Sequence, residues 1–80
     1  MNAAEAQDVK TLLLQHNDQY RQLAEQHHEL DNRLHQLTDK HYLSPSEQVE
    51  QVTLKKRKLA LKDRMEAITR EYLQEHARTA

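Results

Sequence analysis

The sequence predicts an all-α fold: an antiparallel two-helix coiled-coil hairpin that self-associates into a helical bundle. Three observations carry this. The 80 residues include no glycine and one proline, which leaves little material for turns or strands. Apolar residues recur at alternating spacings of four and three along both halves. The lone proline sits near the middle of the chain, inside a helix-start signal. A hydrophobic share of 36%, spaced this regularly, also sets the chain apart from disordered polar sequences.

The first element is expected from about residue 4 to 39. Stepping from Val9 gives Leu13, His16, Tyr20, Leu23, His27, Leu30, Leu34 and Leu37, a coiled-coil seam interrupted by two histidines. No glycine stops this helix, so it frays between Leu37 and His41, and the turn covers about residues 40–44. The second element opens at Ser44-Pro45-Ser46-Glu47. There Ser44 is the N-cap, Pro45 occupies the first helical position, where its missing N–H is no loss, and Glu47 reaches back to close a capping box. This helix is expected over about residues 45–76, followed by a short frayed tail. Arms of roughly 50 Å each suit a hairpin, and the whole chain reads as one such unit.

In the second arm the same stepping gives Leu54, Lys58, Leu61, Met65, Ile68 and Tyr72. Folding the chain about Tyr42 sets Leu30 against Leu54, Leu23 against Leu61, Tyr20 against Met65 and His16 against Ile68. His27 then meets Lys58 in a polar layer, a device that fixes register at some cost in stability. Buried neutral histidines at positions 16 and 27 would weaken the fold as pH falls from 7 to 5.

A two-helix seam is marginal by itself. Val49, Val52, Leu59 and Leu73 form a further stripe on the opposite side of the second arm, and Leu12 and Leu14 flank the first seam. A helix with two apolar faces has two to cover, and a second copy is the simplest cover. The candidate oligomer interface is therefore Val49, Val52, Leu59 and Leu12.

The run Lys55-Lys56-Arg57-Lys58, with Lys62 beyond it, scatters around a helix because consecutive residues point about 100° apart. Residues 1–40 carry four cations and seven anions, and residues 41–80 carry eight and six. The arms can thus complement each other, with Lys55 and Lys62 near Glu25 and Glu29. A net charge of −1 and only three aromatic residues argue against nucleic acid as a partner. Acids interspersed among the bases argue against a membrane-surface helix. The N-terminus shows neither a secretion signal nor a span, and the absence of cysteine agrees with a reducing compartment. A cytoplasmic location is the expectation.

No metal, cofactor or catalytic site is predicted. None of the six histidines is paired at a four-residue spacing, and no HExxH occurs. There is no glycine for a phosphate loop and no cysteine nucleophile, and both serines of the second helix start are engaged there.

The residues His28-Glu29-Leu30-Asp31, Leu34, Leu37, Leu43-Ser44-x-x-Glu47 and Leu54-Lys55-Lys56-x-x-Leu59-x-Leu61-Lys62-Asp63 resemble the YdcH-like family of small bacterial proteins, a family of undefined function. The resemblance covers roughly His16 to Arg70 and leaves out the tail from Glu71. It implies an antiparallel helical hairpin in the bacterial cytosol and supplies no activity.

Two function classes follow. The first is a non-enzymatic adaptor, a hairpin that self-associates and offers a helix face to an unidentified protein partner. The second is a regulator of a nucleic-acid machine such as RNA polymerase, which docks or inserts the tip Asp39, Lys40, His41 and Tyr42 without reading nucleic-acid sequence.

Overall fold

The computed structural model describes residues 3–79, with side chains described from Asp8 to Glu75. Three helices follow in order: α1 (Ala3–His16), α2 (Asp18–Thr38) and α3 (Pro45–Thr79). Among the described residues there is no strand, so the fold is all-helical.

The first arm is two helices where the periodicity predicts one. At Asn17 the backbone turns extended (φ −119°, ψ 106°), and a new helix begins at Asp18. Asn17 Oδ1 accepts the Tyr20 N–H at 2.8 Å, which satisfies one of the donors that every helix start leaves open. The carboxylate of Asp18 lies in the first turn of α2, at the end its charge favours. The break interrupts little hydrogen bonding, because Asn17 N–H reaches Leu13 O at 2.9 Å and Asn17 O accepts Arg21 N–H at 3.0 Å. The seam crosses the break, because Val9 and Leu13 before it and Tyr20 after it are buried in one cluster, and the seam position turned out to solvent is His16. His16 is exposed, while Leu13 and Tyr20 on either side of it are buried.

α2 and α3 run antiparallel and make the main interhelical contact; α1 meets α3 over a shorter stretch. The Cα trace measures 54 × 20 × 19 Å. The 35 residues of α3 span about 52 Å at the usual rise, so this one helix sets the length of the molecule. Apolar burial is concentrated at two places. Near the turn, Leu34, Leu37 and Leu54 are buried with Leu30 and Leu43 packed on them. At the open end, Val9, Leu13 and Tyr20 are buried against Met65, Ile68, Tyr72 and Leu73. Leu23 is also buried.

The contacts between α2 and α3 straddle a fold centred on Tyr42: Arg33 bonds Glu50 and Tyr20 packs with Met65, close to that register, while two others lie beyond it. Lys58 Nζ donates to Asp31 Oδ1, four residues beyond His27, and Leu54 clusters with Leu34 and Leu37. Residues 39–44 between the two helices are non-helical.

The reversal is built without glycine. Asp39 closes α2 at φ −76°, ψ −10°, and no described residue has positive φ. Asp39 N–H donates to His35 O at 3.0 Å, Lys40 N–H to Leu37 O at 3.2 Å, and Thr38 Oγ1 to Leu34 O at 2.9 Å. At the far end α3 runs past residue 76 to Thr79, since Glu71 to Thr79 contains neither glycine nor proline to stop it. The side chains from His76 onward lie outside the described residues.

Candidate functional site

The start of α3 is held by a reciprocal set of short-range bonds. Ser44 Oγ accepts Glu47 N–H at 3.1 Å, and Glu47 Oε1 accepts Ser44 N–H at 3.0 Å, the reciprocal pair of a capping box. Pro45 is the first residue of α3, and Gln48 N–H takes the first helical bond to Ser44 O at 2.9 Å. Glu47 Oε2 also receives Lys40 Nζ across the turn. Lys40, then the Ser44 amide, holds the Glu47 carboxyl down at about 2, because both favour its charged form.

Ion pairs continue along the same half of the molecule. Arg33 Nε donates to Glu50 Oε1, and this bond raises the guanidinium above its ordinary value. The Lys58 ammonium lowers Asp31 in the same manner. The expected pairing of Lys55 and Lys62 with Glu25 and Glu29 does not form: among the described residues none of these four is in an ion pair. The actual register gives the interhelical bonds to Asp31 and Glu50.

The seam residues divide by depth. Leu13, Tyr20, Leu23 and Leu54 are buried, while Leu30, Leu61, Met65, Ile68 and Tyr72 are half-buried. Burial raises the Tyr20 phenol, and the Thr69 hydroxyl beside it partly offsets this. Of the polar layer, His27 and Lys58 are both half-buried and line one groove, but the ammonium of Lys58 goes to Asp31.

On the outer side of α3, Val49, Val52 and Leu59 are 68%, 54% and 60% exposed. Leu12, at 41%, lies on α1, on a different element from that row. Leu73 does not belong to the outer stripe, because α1 reaches α3 at this level and Leu73 packs on the Val9, Leu13 and Tyr20 cluster. Tyr42, at the tip, is 89% exposed.

Open grooves flank α3. One, of about 550 Å³, runs past Asp31 and Leu34 to Lys55, Lys58, Leu59 and Lys62. A second, of about 580 Å³, shares Lys58 and Lys62 with it and continues to Met65, Arg70 and Leu73, with Lys10 contributed by α1. A third lies on the other side, where Glu29 and Leu30 face Arg57, Leu61 and Arg64. Among the described residues no three or more His, Cys, Asp or Glu side chains are grouped as metal ligands would be. No described helix is long and apolar enough to cross a membrane.

A family model described as "Protein of unknown function (DUF465)" matches residues 21–69 of the 80. The chain belongs to the DUF465 family. YdcH is the archetype of that family, in agreement with the resemblance carried by the Leu54–Asp63 motif. No curated protein and no solved structure matches the chain. The DUF465 match takes in most of α2 and the first two-thirds of α3, including the capping box and the Asp31–Lys58 pair, and excludes α1.

Two features escape a reading by heptads. The Asn17 break had a signal, an Asn-Asp pair suited to N-cap and first turn. The basic groove had one as well: Lys55, Lys58 and Lys62 lie three and four residues apart, a spacing that stacks side chains on one face.

Proposed function

We propose that this DUF465 chain is a non-enzymatic protein-interaction module that joins a second copy through the outer face of α3. The observation that carries this reading is the row Val49, Val52 and Leu59, each more than half exposed. At 100° per residue the three fall within an arc of about 80°, opposite buried Leu54. Isolated exposed aliphatics are ordinary, but a row at helical spacing is what an interface requires.

The charges beside the row favour a second copy as its occupant. Val49, Val52, Lys56, Leu59 and Asp63 follow one another at spacings of three and four, the rhythm of a coiled-coil seam. In an antiparallel, two-fold pairing centred near Leu59, Lys56 of each copy falls opposite Asp63 of the other, twice by symmetry. Against catalysis stand the openness of the grooves and the state of their carboxylates. Asp31 is tied to Lys58, and Glu29 and Glu66 are exposed, so no carboxylate of the grooves sits in the enclosed setting that acid–base catalysis uses.

Light scattering tests the assembly. The parent is expected at twice the 9.5 kDa chain mass at tens of micromolar, and Leu59→Glu at the single mass with its helical circular dichroism retained. A parent that is monomeric at that concentration, or a variant of unchanged mass, overturns the reading.

A further inference from the structure

The two connected grooves on the Lys58 side of α3 form one surface. They share Lys58 and Lys62 and follow α3 from Lys55 to Leu73, about 27 Å at the helical rise. The surface carries five cations, Lys10, Lys55, Lys58, Lys62 and Arg70, and two carboxylates, Asp31 and Glu66, in a chain whose net charge is −1. Only Lys58 is neutralised, by Asp31. Among the described residues Lys10, Lys55, Lys62 and Arg70 take part in no ion pair, and all four are exposed. Between them lie Leu34, Leu59, Met65 and Leu73.

We propose that this groove receives an acidic amphipathic helix of another protein, with aliphatic side chains on its floor and carboxylates on its cationic rim. An apolar floor within a charged rim is the general form of a helix-binding groove. The length suits a helix of about 18 residues. Nucleic acid fits less well: stacking needs free aromatic faces, and the tyrosine of the groove, Tyr20, is 2% exposed. A second copy fits less well too. The exposed acids of α2, Asp18, Glu25 and Glu29, are interspersed with exposed Gln22, Asn32 and Gln36, so that face offers charge to the rim and nothing to the floor. This inference goes beyond self-association. The groove shares Leu59 with the face proposed for self-association, so binding is read at protein concentrations where light scattering gives the single chain mass, and either proposal can then fail alone.

The probe is a fluorescein-labelled 18-residue helical peptide with a leucine stripe flanked by glutamates, followed by anisotropy at low salt. Binding to the parent is expected, with a loss of about tenfold or more for Lys62→Glu/Arg70→Glu and a smaller loss for Lys62→Gln/Arg70→Gln. Arg57→Glu/Arg64→Glu, which makes the same charge change on the opposite side, is expected to bind like the parent. A probe with serine in place of leucine is expected to bind weakly. Circular dichroism confirms that each variant is folded. Absence of binding, equal losses in both double-glutamate variants, an indifferent response to the leucine stripe, or displacement of the probe by a single-stranded oligonucleotide at lower concentration than by unlabelled peptide each overturns the proposal.

Discussion

The two ends of the molecule are built on different principles. Near the turn, a cluster centred on Leu37, which has 0% exposure, is enclosed by bonds that tie one segment to the next: the capping box, Lys40–Glu47, Arg33–Glu50 and Lys58–Asp31. At the open end, Val9, Leu13 and Tyr20 pack on half-buried residues of α3, and the helix that brings Val9 and Leu13 there is joined to the rest through one extended residue. Apolar contact holds both ends; among the described residues the ion pairs between helices lie toward the first, while at the second the Tyr20 phenol meets the Thr69 hydroxyl. The family match takes in the turn end together with Met65 and Ile68 of the open end, and omits α1.

The sharpest test of this contrast is a pair of truncations. Leu37→Ala is expected to cost about 2 to 5 kcal/mol, the range for a buried leucine whose surroundings cannot collapse, and to lower stability for every probe of α2 and α3 alike in urea. Leu13→Ala is expected to fall at the bottom of that range and to act locally, with α1 amides exchanging faster while those around Leu34 and Leu54 keep their protection. Equal loss of protection at both ends would erase the distinction.

Cap removal sharpens the comparison at smaller cost. Ser44→Ala and Asn17→Ala each delete one capping acceptor and are expected to cost about 0.5 to 2 kcal/mol. Their consequences should differ. Ser44→Ala weakens the whole transition, whereas Asn17→Ala loosens α1 first, seen as a drop in helicity that precedes the main unfolding step.

The smallest expected effect is titration. The Glu47 carboxyl is held at about 2 against an ordinary 4.5, and Asp31 is also lowered. A depressed carboxyl adds stability that is fully present above its unfolded value and is lost as pH falls toward its folded one. Melting temperature is therefore expected to decline between about pH 4.5 and pH 2, with a shallower slope in Glu47→Gln. An unchanged slope in that variant would remove Glu47 from the account of the turn end.

The sequence made the turn end legible because its determinants are local. Ser44, Pro45 and Glu47 lie within four residues, and a capping box needs no tertiary information. The apolar stepping located Leu23, Leu34, Leu37 and Leu54, all buried. It ran smoothly through Asn17 because a heptad count registers side-chain type and is blind to one residue of changed backbone. From that point His16 was misplaced and α1 was merged with α2. The cationic groove was hidden by attention to neighbours in sequence: Lys55, Lys56 and Arg57 diverge, while Lys55, Lys58 and Lys62 converge.

The glycine-free reversal carries a consequence for variation among relatives. Where a turn depends on a left-handed residue, replacing its glycine forces a steric penalty on the backbone. Residues 39–43 all keep negative φ, so their backbone path admits nearly any side chain. Substitutions should accumulate freely at Asp39 and His41, while Ser44 and Glu47, which hold the start of α3 by their side chains, tolerate few. The tip is thus free to diversify chemically over a frame that stays the same, and relatives can present different residues at an unchanged position in space.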